Sequence, residues 1–465
     1  MKKQMQSMSA EWRIVMERSN TDIKNTSLFK LGWPIFVQSL LSMCLGYIDT
    51  LMISNYSDTA VGGIGNANQI IGFLTLAFSI IASATGVIVA QYLGAKIKEK
   101  LNQIYTVSIT FNLLLSGIIS ALILIFNQFI LSLMKVPTSM LPDATSYMKI
   151  VGGFIFLQAI FDTFSQIFRS NGQTKIGMII AIVMNLVNIA GNYMFLYGPL
   201  KYLHKGVEGV AISTTCSRFV AVIISIIFFI IKIDGQISIK YLIPFPYDVL
   251  KKLLKIGLPT AGENISYNIA QLIILSFVNS LSVVAVNTKI YATMLSNFAY
   301  LYSISAAMAT AIVVGHSIGA NEYDFAYEKV MSTLKKSMII SITIALINFL
   351  ISPVTIGIFT DNTSVVNLGH KIMFICIFLE IGRTANLVII NSMRAAGDVK
   401  FPTYLGMASM WGVSVLLGYL FGIVFDFGLI GIWIAMALDE IVRGVVVYIR
   451  WKRGTWRGKR IVDKV

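Results

Sequence analysis

The chain has 465 residues, 56% of them hydrophobic and only 13% charged, with a mean hydropathy of +0.75 and a net charge of +15. A soluble domain carries about 25% charged residues, so an ordinary soluble protein is excluded. The three cysteines, Cys44, Cys216 and Cys376, fall in apolar runs and form neither a disulfide framework nor a CxxC pair.

In chain order, largely apolar runs of about 20 residues recur along the whole length, each long enough to cross a hydrocarbon core of about 30 Å. They predict twelve transmembrane helices, near 31–54, 67–93, 104–134, 145–168, 175–197, 207–231, 253–280, 288–315, 335–359, 369–392, 402–425 and 428–449. The expected fold class is therefore an all-α polytopic membrane protein. With the N-terminus inside, the cytoplasmic segments hold about 28 Lys and Arg and the outer ones about six. That asymmetry is the positive-inside rule, which puts both termini in the cytoplasm and accounts for the basicity without nucleic acid. Residues 1–30 are expected to form a cytoplasmic N-terminal segment containing a weakly amphipathic stretch, EWRIVMER, and lacking a signal peptide's apolar core. The first span then acts as an uncleaved anchor, and a basic tail spans 451–465.

The chain repeats itself at an offset of 225. LFKLGWP returns as LLKIGLP, AQYLGA as GHSIGA, and RSNGQTK as RAAGDVK, so Lys30, Gly94 and Arg169 match Lys255, Gly319 and Arg394. Two pseudo-symmetric six-helix lobes follow, at 31–232 and 251–450, joined by a cytoplasmic linker at 233–250. Six spans per half makes the repeats parallel, about an axis along the membrane normal. Secondary transporters use such repeats, with a central site between rocking lobes.

Polar residues inside spans are costly and mark function or helix contacts. Gln38, Ser42, Gly46 and Asp49 share one face of span one. Asp49 lies 15 residues past Pro34, roughly 22 Å along the helix and in the outer half. Span five carries Asn185, Asn188 and Asn192, with Asn192 toward the same side. Asp49 and these amides are expected to meet and to bind a coupling proton or Na⁺, with Asp49, Asn188 and Asn192 as Na⁺ ligands if the ion is sodium. Span seven shows a polar stripe of Glu263, Tyr267 and Gln271. Glu380 and Arg383 in span ten can pair at i,i+3. Glu263 and Arg383 are expected at one depth, so that Glu263 shares Arg383 with Glu380. Gln38, the repeat partner of Glu263, joins Glu263, Tyr267, Gln271, Glu380 and Arg383 as a substrate or second coupling site. Arg218, Asp162 and Glu440 are further intramembrane charges, with Asp162 and Glu440 nearer the span ends. His316 reads as a loop residue after span eight. A P-loop and enzyme motifs are absent from the sequence, so neither an enzyme nor a bound cofactor is expected.

The P–x₁₄–D spacing of Pro34 and Asp49, the paired LGA and IGA span ends, the RSNGQTK and RAAGDVK loops, and NLVNIAGNYMFLYG resemble the MATE (multidrug and toxic compound extrusion) family over about residues 28–450. The resemblance implies a V-shaped bundle in the cell membrane. It also implies efflux of cationic or amphipathic small molecules, by an expected monomer, driven by inward H⁺ or Na⁺. It places the family's span-one aspartate on Asp49 and its span-five pair on Asn188 and Asn192. DinF-like members carry an aspartate at the latter position, so span five is more NorM-like. NorM-like members also carry a glutamate in span seven and an aspartate in span ten. Here Glu263 stands a turn nearer the cytoplasm, and the span-ten aspartate position falls near Arg383. Competing readings are a lipid-linked precursor flippase of the same superfamily, a membrane-embedded transferase and a non-transporting scaffold.

Overall fold

The computed structural model describes residue 23 and residues 26–54, 57–203 and 205–462. The EWRIVMER stretch lies outside the described residues. In lipid each backbone polar group must be satisfied within its own segment, which makes long apolar runs helical. Twelve helical rods result. They are α1 (Leu28–Ser54), α2 (Asp58–Gly94), α3 (Leu101–Leu133), α4 (Leu141–Gly152 and Phe156–Ser170), α5 (Thr174–Leu196) and α6 (Gly206–Ile233). The second set is α7 (Tyr247–Leu281), α8 (Val283–Gly319), α9 (Tyr323–Gly357), α10 (Thr363–Ala395), α11 (Lys400–Val424) and α12 (Gly428–Lys452). No strand occurs among the described residues.

Nine rods, and the broken α4 as a tenth, are long and apolar enough to cross a bilayer. The other two, α7 and α12, carry the polar groups described below. Several helices overrun the predicted spans because they continue beyond the apolar stretch. α8, for example, runs from Val283 to Gly319 rather than from 288 to 315. The α4 rod bends by 46° next to a π-helical turn at Met148–Gly152. There Gly152 and Gly153 let Ile123 and Leu124 of α3 pack against the backbone.

The repeat is visible in backbone detail at the same offset. Ser57 and Ser282 cap α2 and α8, their hydroxyls accepting from the amides of Ala60 and Ala285. Lys96 and Asn321 both take left-handed φ, +59° and +61°. Gly172 and Gly397 turn the RSNGQTK and RAAGDVK loops at φ +74° and +93°, a region that costs most other residues.

Call the end of the bundle that holds the start of α1 and the end of α12 the terminal end. The lobes meet there. A side chain on Gly94 would strike the carbonyl of His316, and one on Gly319 the carbonyl of Gln91, so the LGA and IGA motifs let α2 and α8 cross at backbone contact. Gly32 rests on Ala309 of α8, and its repeat partner Gly257 rests on Ile80 and Ile81 of α2. The chain after α12 crosses the same seam. Trp456 is fully buried and stacks on Trp451 in the second lobe at 4.1 Å, whereas Val462 packs into the core of the first. The basic tail is thus partly a packed segment rather than only a solvated charge run.

Each lobe has its apolar core in two parts. In the first lobe one cluster gathers Phe164, Phe168 and Phe229 and another gathers Ile64, Phe78 and Tyr147. On α5 the two clusters stop at Met184 and resume at Leu196, and on α6 they stop at Ala211 and resume at Ala221. The second lobe is divided likewise, with α10 contributing up to Leu379 on one side and from Val388 on the other. Polar side chains fill both gaps at mid-depth.

Candidate functional site

The polar belt of the first lobe is built on α1, α5 and α6. Asp49 is 3% exposed, and Asn188 and Asn192 are fully buried. Asn192 Nδ2 donates to Asp49 Oδ1 at 2.6 Å and lies 3.3 Å from Asn188 Oδ1. Asn188 Nδ2 donates to Thr214 Oγ1 at 3.1 Å. The single Thr214 hydroxyl proton has two acceptors in reach, the Val210 carbonyl at 3.0 Å and Asp49 Oδ2 at 3.4 Å. Asn192 Oδ1 is buried with no hydrogen-bond partner. A buried acceptor left open is costly, and here it sits beside a carboxylate. A proton on Asp49, or a small cation among these oxygens, would supply what the acceptor lacks.

Asn185 is buried too, but its amide donates to its own helix at Ala181, and it joins none of these bonds. Thr214 is not legible in the sequence, because a threonine inside an apolar span gives no signal of its own. Arg218 has Nε and Nη1 buried without a partner and lies within electrostatic range of Asp49 and Asp162. Asp162 is partly buried and accepts from Gln158 at 2.9 Å.

The second lobe has no counterpart of Asp49, since Ile274 stands there, buried in apolar core. Its belt instead surrounds a cavity of about 580 Å³ lined by Glu263, Tyr267, Lys289, Arg383, Glu440 and Arg443, among others. Gln271 lines it as well. Arg383 Nη1 pairs with the buried Glu380 at 2.6 Å and its guanidinium faces the Tyr300 ring. Glu380 Oε2 is buried without a partner. Arg443 bridges Asp439 at 2.7 Å and Glu440 at 3.0 Å, and Asn386 donates to Glu440 at 2.6 Å. Glu440 is therefore a cavity residue rather than an interfacial one. The cavity combines neutralised ion pairs with an amphipathic wall that includes the half-exposed Tyr267.

Three expectations change here. Glu263 does not share Arg383. It pairs with Arg394 at 2.6 Å, at the last turn of α10, because Arg394 lies eleven residues beyond Arg383, about 16 Å nearer the terminal end. Gln38, unlike Glu263, does not line this cavity. It belongs to the other lobe, where it donates to Ser165 at 2.8 Å and accepts from Arg169 at 2.7 Å. The two pairs are repeat equivalents, with Gln38 and Arg169 matching Glu263 and Arg394. Both halves of that match stand in the sequence as repeat equivalents at the 225 offset. His316 is likewise no loop residue. It lies buried in the last turn of α8 and reaches the Ser170 carbonyl of the first lobe at 2.7 Å.

The comparisons agree with this architecture. The MatE family model matches residues 34–194 and 259–420, two segments that start 225 residues apart. The chain is 40% identical to "Uncharacterized transporter YisQ" of Bacillus subtilis, covering 93% of this chain and 95% of that one. It is 26% identical to "Probable multidrug resistance protein NorM" of Thermotoga maritima, covering 94% of each. Among solved structures, MATE in the bent conformation superposes with a TM-score of 0.85 at 18% identity, over 92% of this chain and 94% of that one. A MOP superfamily transporter from Pyrococcus furiosus, described as having a binding pocket of reversed polarity, gives a TM-score of 0.84 at 17% identity, over 93% and 97%. With both halves matched by the family model and a relative 40% identical over nearly the whole length, the chain belongs to the MatE family of multidrug and toxic compound extrusion transporters.

Proposed function

We propose that the protein is a secondary active exporter of cationic or amphipathic small organic molecules in the cell membrane, exchanging them for inward H⁺ or Na⁺. Both termini are cytoplasmic on the charge asymmetry of the loops. The terminal end is then the inner side, and contact of the lobes there corresponds to a state closed to the cytoplasm. The observation that carries the reading is Asp49, buried in the first lobe, held by Asn192 and Thr214 and flanked by the open acceptor Asn192 Oδ1. Loading the ion neutralises this carboxylate and redirects the Thr214 and Asn192 hydrogen bonds, which changes how α1 packs on α5 and α6. The second-lobe cavity, with Tyr267 and Gln271 on its wall, offers an amphipathic compartment of about 580 Å³ for the exported molecule. Several relatives carry the description multidrug resistance protein, in keeping with this substrate class. The test is uptake or release of a cationic dye by proteoliposomes under an imposed pH gradient or Na⁺ gradient. Dye movement that follows neither gradient would reject the reading.

Lys289, Arg383 and Arg443 in one cavity favour a second reading, export of an anionic or lipid-linked compound. The two arginines are paired with acids, which leaves Lys289 as the cation on that wall without a salt bridge among the described residues. Competition of dye transport by an anionic amphiphile separates the two readings.

A further inference from the structure

We propose that the seam between α1 and the α8–α9 pair is a binding site for one anionic phospholipid, its headgroup on Lys329 and Lys336 and an acyl chain between the lobes. A lateral groove of about 710 Å³ opens there, walled by Phe29, Trp33 and Phe36 of α1 and Phe298 of α8. Its polarity is graded along α9. Lys329, Ser332 and Lys336 line one end, and Ile340 and Ile344 follow on the same helical face. The apolar stretch of α9 from 338 to 358 spans about 31 Å, the thickness of a hydrocarbon core. Lys336 therefore stands at the hydrocarbon boundary and Lys329 about 10 Å outside it, at the level of lipid phosphates. Neither lysine has a carboxylate partner among the described residues; Lys329 lies 6.0 Å from the Phe325 ring centre.

The repeat supplies an internal control. At the equivalent seam of the other lobe the positions of Lys329, Ser332 and Lys336 are Ile104, Val107 and Phe111. Ile104 and Val107 are buried there in one apolar cluster with Val249, Leu253 and Ile256. The site thus exists on one side of a pseudo-symmetric molecule and is not a consequence of the fold. Because α1 belongs to one lobe and α8 and α9 to the other, a lipid seated here touches both.

Trp33, 51% exposed in the groove, reports occupancy. The full chain is placed in phosphatidylcholine nanodiscs. Phosphatidylglycerol with brominated acyl chains is titrated in, and the quenching lost in Trp33→Phe is taken as the groove signal. Brominated phosphatidylcholine serves as the neutral reference. An attraction of about 1 kcal/mol per lysine gives an anionic preference of about 30-fold for two. Lys329→Gln with Lys336→Gln should abolish the preference while leaving the melting temperature and quenching by the neutral lipid unchanged. Equal quenching by the two lipids in the wild type, or an undiminished preference in the double variant, overturns the proposal. Since Lys336 is exposed, the single variant Lys336→Gln tests the same point should the double variant fail to fold.

Discussion

Gln91 and His316 stand 225 positions apart and make the same crossing in opposite directions. Gln91 Nε2 donates to the Ala395 carbonyl of the second lobe at 2.7 Å, and His316 Nε2 reaches the Ser170 carbonyl of the first at 2.7 Å. The two carbonyls are themselves 225 apart. A carbonyl only accepts, so His316 carries its proton on Nε2. Each lobe thus closes a hydrogen bond on the end of the other's fourth helix, beside the contact of Gly94 and Gly319.

A symmetric pair of buried bonds between the lobes, beside their glycine contact, would act as a closure device. Each is worth about 0.5–1.5 kcal/mol, and leaving the carbonyls unpaired adds to the cost of removing it. Gln91→Leu combined with His316→Leu should therefore favour separation of the terminal end by about tenfold or more. Spin labels on Ala95→Cys and Ala320→Cys report this as a second, longer distance population. A single unchanged distance would show that the glycine contact alone holds the closure.

At Asp49 the expectation concerns coupling rather than stability. Asp49→Asn keeps the shape and a hydrogen-bonding side chain next to Asn192 and Thr214. It removes the carboxylate that accepts from Asn192. The variant should express and melt like the parent and yet bind dye without moving it against a gradient. Dye accumulation at the parental rate would make Asp49 a packing residue.

Much of this was legible beforehand. Twelve rods, two lobes and the 225-residue repeat follow from hydropathy and motif spacing, because a bilayer leaves the chain few alternatives. Asp49 with Asn188 and Asn192 was legible because helix geometry puts them at one depth. What escaped was partner choice. Estimated depth pairs Glu263 with Arg383, but depth estimates err by a turn or more when a helix overruns its apolar stretch, as α7 does from Tyr247. Thr214, Lys289 and the Asp439–Arg443 pair escaped because they depend on which face α6, α8 and α12 turn inward, and helices polar on one face only at mid-depth give a weak periodic signal.

Glu263 and Arg394 offer a direct comparison with their repeat partners. Their side chains are 14% and 21% exposed, so the pair is largely desolvated. Removing one partner of a buried pair costs about 3–5 kcal/mol, whereas removing both often costs little. Glu263→Gln rebuilds the arrangement of Gln38 and Arg169, where a neutral amide already accepts from an arginine at 2.7 Å. It should therefore be milder than Arg394→Gln, which leaves Glu263 charged and unpaired. Melting temperatures of the two single variants and the double decide this. Equal losses in both single variants would mean that the first-lobe arrangement is no guide to the second.

The tail offers the last test. Trp456 is anchored in the second lobe and Val462 in the first. Between them Lys459 pairs with Asp398 at 2.6 Å, and the Ile461 amide donates to Gln91 Oε1 at 2.8 Å. Gln91 is therefore held from two sides, by the Ala395 carbonyl and by the tail. Lobes that part at the terminal end must either carry the strap with one of them or break it. Burial of Val462, worth about 1.5–3 kcal/mol for a full aliphatic side chain, then opposes opening. Val462→Asp, or truncation after Gly458, should raise the opening of that end by about tenfold. With Ala90→Cys as the reporter, 2% exposed where α2 meets Gly315, maleimide labelling should accelerate by that factor in either variant. An unchanged labelling rate would mean that the strap moves with one lobe and takes no part in closure.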